Sequence, residues 1–284
     1  MSYPEFVKKL DELHLKKRIR PPKIAPSRFY PMRIELETQE LLADEFARFA
    51  ESVANAAERR GGRPDFVAAD GLDDLLELVS LPTREFREHA FEIALRVDRF
   101  NTLAFAEFSA LVIGERYFPT GSRAEILSTW TENFVNQCKT VKEDMKQKSA
   151  TILSGAVLQG KPLRQVMGEL REQNEGMGRN KAELIARTEI GHLNSAIARR
   201  QQQSVGIEYY EWSATMDGRT RESHALLDGK ICRWDKPDKY YTFENGEPVE
   251  HDRTQAMFKG APGEDFQCRC TALPWLPEFA DSYK

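Results

Sequence analysis

Apolar residues recur at helical spacing over most of the chain. Leu41, Leu42, Phe46, Phe49 and Val53 form one such stripe before Gly61-Gly62 and Pro64 break it, which predicts an amphipathic helix. Similar stripes predict helices over about 72–81, 83–100 and 102–117, the last rich in Phe105, Phe108, Leu111, Val112 and Ile113. Pro119 and Gly121 interrupt; Ser122 with Glu125 then reads as a capping box opening a long helix through Trp130 and Phe134. Pro162, after Gly160-Lys161, marks a further start at a first helical position.

The pattern changes after about Arg179. One more helix is expected over 181–203, then Tyr209, Tyr210 and Trp212 give strand-like density between Gly206 and Ala214. Turn signals stand at Asp217-Gly218 and Asp228-Gly229, and Ile231, Cys232 and Trp234 read as a short strand. Residues 235–263 lack periodicity and read as a long loop, and 267–273 as a last strand. The expected fold class is α+β, a mainly helical N-terminal body followed by a small C-terminal α+β domain with short antiparallel strands. The expected divisions are an arm at 1–33, a helical domain at 34–150 and the C-terminal domain at 151–284.

With 284 residues, 40% of them hydrophobic, the chain can bury a real core. No run approaches the roughly 20 apolar residues of a membrane span, and no apolar segment follows the basic N-terminus as in a signal peptide. A soluble protein made in a cytoplasm is expected. Cys138, Cys232, Cys268 and Cys270 are too few and too unevenly placed for a disulfide framework, so they are expected as reduced thiols or metal ligands.

The net charge of -4 is unevenly spread. Residues 1–33 carry nine Lys and Arg against Glu5, Asp11 and Glu12, which is 9 − 3 = +6 and leaves -10 for the rest. Pro4, Pro21, Pro22, Pro26 and Pro31 punctuate this arm, so after a helix over about 3–17 it is expected to run extended along a surface. Lys8, Lys9, Lys16, Lys17, Arg18 and Arg20 are the candidate contacts to a partner or to DNA phosphates, and a solvated tail is the competing reading.

The helical region offers no catalytic spacing, no phosphate loop and no metal pair on one helical face. The C-terminal region is richer. Glu189 falls in the gap of the stripe Ile185, Leu193 and Ile197, so a carboxylate is aimed at the core. Burial of an unpaired charge is costly, which points to an ion pair with Arg187, Arg219 or Arg269 and, less simply, to a catalytic acid or base. Asp217 and Asp228 are placed to shape turns, with Thr220 and Ser223 satisfying backbone donors. His224 reads as a hydrogen-bonded structural residue, a metal ligand or a general base. If Cys268-x-Cys270 lies in a strand, both sulfurs share one face. Together with His224, and with Cys232 or Asp217 as a fourth donor, they would suit zinc. The competing reading is two small half-buried residues packing beneath a loop, and the expected cofactor is none, with zinc as the alternative.

Taken in order, Arg187-Thr188-Glu189, Asn194-Ser195-Ala196, Gly206-Ile207, Glu211-Trp212-Ser213-Ala214, Asp217-Gly218-Arg219-Thr220-Arg221, Ser223-His224, Leu227-Asp228-Gly229-Lys230, Pro262-Gly263-Glu264-Asp265-Phe266 and Cys268-Arg269-Cys270 form an ordered set. That set resembles the phage Mu F-protein-like family of minor head, or head morphogenesis, proteins over about residues 150–275. The sequence departs from many members at Arg221-Glu222-Ser223-His224, where they carry Cys-x-x-Cys, and at Gly263-Glu264-Asp265-Phe266-Gln267, where they carry a Pro/His-containing stretch.

The resemblance implies a low-copy component of a tailed-phage head, assembled in the host cytoplasm and residing in the capsid interior or at the portal vertex. Its implied partners are the portal protein, capsid or scaffold proteins and packaged double-stranded DNA. Longer relatives carry toxin or ADP-ribosyltransferase domains behind this region; here Lys284 falls about fourteen residues past Cys270, so no appended enzyme is expected. Two other classes stay open: a metal-dependent hydrolase or nuclease built on His224 and the cysteine pair, and a nonspecific DNA-binding module, which the acidic body disfavours.

Overall fold

The computed structural model describes residues 3–15, 22, 25–59, 84–120, 122–159, 161–244 and 246–283. Five long or medium helices come first: α1 (Tyr3–Leu15), α2 (Met32–Arg59), α3 (Arg84–Ile113), α4 (Ala124–Gln159) and α5 (Leu163–Ser204). After them come β1 (Tyr209–Ser213), the one-turn helix α6 (Glu222–Ala225), β2 (Ile231–Arg233), β3 (Lys236–Glu244), β4 (Glu247–Asp252) and β5 (Thr271–Trp275). Short 3-10 turns occupy Pro26–Phe29 and Pro277–Tyr283. The fold is α+β, with helices ahead of an antiparallel sheet of order β4-β3-β2-β1-β5 among the described residues.

Two compact units are built from non-contiguous stretches: residues 1–34, 94–128 and 187–284 form one, and 35–93 with 129–186 the other. The second unit is helical among the described residues. Ala54, Leu153, Ala156, Val166, Met167 and Leu170 make one of its cores, and Trp130 stacks on Phe134 with ring centroids 4.8 Å apart. Lys142, whose side chain is 6% exposed, sits 2.5 Å from the Glu45 carboxylate.

In the first unit, strand alternation divides the apolar residues between the two faces of the sheet. Tyr209 and Trp275 join Phe6, Leu10, Phe105, Phe108 and Tyr117 in one cluster. Tyr210 and Trp212 join Cys232, Trp234, Cys268, Cys270 and Ala272 in another. The candidate site lies in the second cluster.

Several sequence expectations are corrected here. The stripes over 83–100 and 102–117 are one helix, α3, because nothing at their junction breaks it: Asn101 is buried and bonds both the Val97 carbonyl and Asn194 Oδ1. α5 likewise runs unbroken through Arg179. Arg123, not Ser122, stands at the cap of α4, its carbonyl accepting from the Leu127 N–H at 3.0 Å. Pro162 caps α5 from outside, accepting from Gln165 and Val166.

Residues 236–252 form the β3–β4 hairpin where a loop was expected, because side chains pair across it: the buried Tyr241 donates its Oη proton to Glu250 at 2.9 Å, and Lys236 and Lys239 meet Glu250 and Asp252. The last strand starts at Thr271, since Gln267 has a φ of 54°, incompatible with a strand. The described part of the arm is also not a loose tail: α1 buries Phe6 and Leu10 completely or nearly so. The helix expected over 72–81 lies outside the described residues.

Candidate functional site

One turn of α5 grips the segment that leads into β5. Arg187 Nη1 donates to Gln267 Oε1 at 3.2 Å, and the Gln267 N–H donates to Thr188 Oγ1 at 3.1 Å. One turn on, His192 Nε2 lies 3.1 Å from the Glu264 carbonyl. Between them Gly191 has no room for a side chain, since a Cβ there would stand 2.6 Å from the Cys268 carbonyl oxygen. The motif Arg187-Thr188-Glu189 and the stretch Pro262–Cys270, about eighty positions apart in sequence, are thus two halves of one contact.

Glu189 is 4% exposed, and its Oε1 lies 3.6 Å from His192 Nδ1. The Glu189 carboxylate, as acceptor for the ring, raises the His192 pKa above its ordinary value, against the opposing effect of burial. His192 is a partner that the sequence pattern did not single out, because it sits on the half-exposed flank of the helix.

The polar segment after β1 is built around its own turns. Asp217 Oδ1 accepts from the Arg219 N–H at 3.0 Å and from Thr220 Oγ1 at 3.3 Å. Asp217 Oδ2 faces Arg269 Nη1 at 3.8 Å. Asp228 Oδ1 accepts from the Ala214 N–H at 2.8 Å, and Gly229, with a φ of 70°, donates its N–H to the Trp212 carbonyl. These contacts fix the start and end of the loop that carries α6.

His224 projects from α6 into the cluster beneath the sheet, 2% exposed, with its ring 5.7 Å from Trp212 and 4.9 Å from Phe258. Nε2 is 3.0 Å from Asp265 Oδ2, which Arg221 Nη1 also meets at 3.1 Å. Nδ1 is 3.4 Å from Cys268 Sγ and 3.5 Å from Cys270 Sγ. The two sulfurs do share a side, although the extended stretch that places them precedes β5 instead of belonging to it.

Protonation within this trio is uneven. A hydrogen bond from Cys270 brings Cys268 down to about 5 despite burial, with His224 assisting. Cys270 is pushed far up, by its bond to Cys268 and by burial. For His224, burial opposes the charged form, but Cys268 and Asp265 outweigh it and the pKa rises. These shifts favour a thiolate at Cys268 facing a protonated His224, with the Cys270 thiol kept neutral beside them.

Cys232 and Asp217, the two candidates for a fourth metal donor, are not in this trio. Cys232 is directed at the Lys230 carbonyl, 3.8 Å away, and Asp217 is committed to its turn. Among the basic candidates of the arm, Lys8 is exposed, Lys9 pairs with Glu115, and Lys16, Lys17, Arg18 and Arg20 lie outside the described residues. Sequence reasoning missed Gln202, which is 2% exposed, donates to the Ala272 carbonyl and accepts from Trp234 Nε1, both at 3.0 Å. A lone glutamine near a helix end carries no signal for such a role.

Residues 147–273 match the family model described as Phage Mu protein F like protein. The match takes in the last turns of α4, all of α5, strands β1 to β4 and the first residues of β5, so the resemblance drawn from the ordered motifs is shown over this span. An uncharacterized protein of Haemophilus influenzae is 28% identical over 152 residues, 54% of this chain and 30% of its own length. NAD(+)–arginine ADP-ribosyltransferase EFV of Enterococcus faecalis is 26% identical over 136 residues, 46% of this chain and 26% of its own length. The chain therefore spans less than a third of either curated relative. No solved structure matches.

Proposed function

We propose, starting from the phage Mu F-like domain at residues 147–273, that this chain is a minor structural protein of a tailed-phage head. In this reading it acts in procapsid assembly at or near the portal vertex and lies in the capsid interior, where its basic arm contacts packaged DNA. The observation that carries the reading is the family match, and the engagement of the polar residues it spans supports a structural role over a catalytic one. Asp217 and Asp228 are spent on backbone N–H groups, and Arg187 and Thr188 on Gln267. The cavity beside His224 is about 30 Å³, room for about one water molecule.

Docking on protein partners is supported by apolar side chains left open on α3: Leu95, Leu103 and Leu111 are 45%, 49% and 61% exposed. DNA contact requires only Lys and Arg without fixed spacing, and it weakens steeply with salt because bound counterions are released. The test is co-sedimentation of the purified chain with portal rings of the same phage at several salt concentrations. A complex that survives replacement of Lys8, Lys16, Lys17, Arg18 and Arg20 by Gln, which leaves the buried Phe6 and Leu10 in place, would place docking on the body. The absence of any complex, with or without these charges, counts against the portal assignment.

A further inference from the structure

The donor atoms of His224, Cys268 and Cys270 lie within 4.8 Å of one another, and all three residues are buried. Two of the donors come from the segment ahead of β5 and one from α6, so only the folded chain assembles them. The imidazole is oriented from outside the trio: Asp265 holds Nε2 at 3.0 Å, which leaves Nδ1 directed at both sulfurs. A carboxylate behind a ligating histidine fixes its tautomer and ring plane in this way at metal centres. The Cys270 N–H points at Cys268 Sγ from 3.4 Å, a donor suited to a thiolate.

We propose that His224 Nδ1, Cys268 Sγ and Cys270 Sγ bind one zinc ion, with a water molecule as the fourth ligand. Two sulfurs and one imidazole are soft and borderline donors, the set that selects zinc over magnesium or calcium. Two thiolates neutralise the dication while histidine stays neutral, so the buried centre carries no net charge. On binding, the Cys270 thiol proton and the proton on His224 Nδ1 leave to solvent. The cavity of about 30 Å³ against the trio, lined also by Asp217 and Thr220, admits the water and nothing larger. The ion therefore ties α6 to the segment entering β5. This inference does not depend on the proposed function, since it rests on the trio alone.

The test uses the full chain expressed in zinc-supplemented medium and purified without chelator under reducing conditions. Elemental analysis should find about one zinc per chain. Zinc X-ray absorption should show two sulfur neighbours, and cobalt(II) exchange should give thiolate-to-metal charge-transfer bands with the visible bands of a tetrahedral ion. Cys270→Ser and His224→Ala should lose the stoichiometric metal, whereas Cys232→Ser should keep it. Should a variant prove insoluble, the wild-type spectra still decide. A chain that holds no stoichiometric zinc and gives no cobalt–thiolate bands, or that binds zinc through oxygen and nitrogen alone, overturns the proposal.

Discussion

Gly191 and Gly263 stand backbone to backbone: a Cβ on Gly263 would lie 2.7 Å from the Gly191 carbonyl oxygen, and one on Gly191 would lie 2.6 Å from the Cys268 carbonyl oxygen. The α5 helix and the loop entering β5 approach this closely because neither residue has a side chain. Gly263 also has a φ of 83°, in the left-handed region that favours glycine.

Gly191→Ala sets two effects against each other. Alanine in a helix is worth up to about 1 kcal/mol over glycine, but overpacking against a rigid backbone carbonyl costs about 1–3 kcal/mol. With the contact well inside van der Waals distance, overpacking wins. Chemical denaturation should show Gly191→Ala destabilised by about 2 kcal/mol. Gly168→Ala, on the same helix with nothing within 4 Å of the added Cβ, should be stabilised by about 0.5–1 kcal/mol. Equal effects at the two positions would remove the close approach as the explanation.

A pH dependence follows from His192. Its folded-state pKa is raised by Glu189, so the stabilisation is fully present below the unfolded value of about 6.5 and is lost as pH rises through the raised value. Its side chain is 40% exposed, so solvent screening limits the effect to under about 1 kcal/mol. Melting temperature should fall over that interval in the native chain, and the part of the fall owed to this pair should vanish in His192→Gln. An unchanged profile in the variant would show that the contact contributes nothing.

Lys142 and Glu45 give a larger effect in the helical unit. The ammonium is 6% exposed and also lies 5.7 Å from the Phe49 ring. Glu45 is half-buried and also accepts from Arg48 Nη2 at 2.9 Å, so loss of Lys142 leaves it one partner. Lys142→Ala should therefore cost about 1.5–3 kcal/mol, the range of a hydrogen bond to a charged group, and replacing both Lys142 and Glu45 with apolar residues of similar volume should restore most of it. Additive losses in this double-mutant cycle would show that the two groups are not coupled.

Asp228 tests the turn before β2. Loss of its acceptor for the Ala214 N–H should cost about 1 kcal/mol in Asp228→Ala, and less in Asp228→Asn, which keeps an acceptor oxygen. Hydrogen exchange at Ala214 should accelerate in the alanine variant only.

Legibility in the sequence tracked the kind of interaction. Helices with a clean apolar stripe, such as the one holding Phe46 and Phe49, were readable because burial on one side imposes a 3.6-residue period. β1 was readable from Tyr209, Tyr210 and Trp212. The β3–β4 hairpin was not, because its alternation is confined to Tyr241 and Phe243, which face the core, while its other pairings run through charged side chains such as Lys239 with Asp252. The Asn245-Gly246 dipeptide was the signal available for it.

At the site, residue types alone brought His224, Cys268 and Cys270 together as candidates. The orienting Asp265, the grip of Thr188 on Gln267 and the Gly191 contact depend on approach between distant segments, which local pattern does not encode. α5 shows the same limit: around Glu189 it is buried on nearly every side, so its stripe is blurred by Arg187, Thr188 and Asn194 facing inward.

The central claim, a minor head protein, is tested most directly by quantitative mass spectrometry of purified procapsids and mature particles of the phage that encodes this chain. The account predicts a few copies per particle, far below the major capsid protein and comparable to the portal. Absence of the chain from both kinds of particle would contradict it.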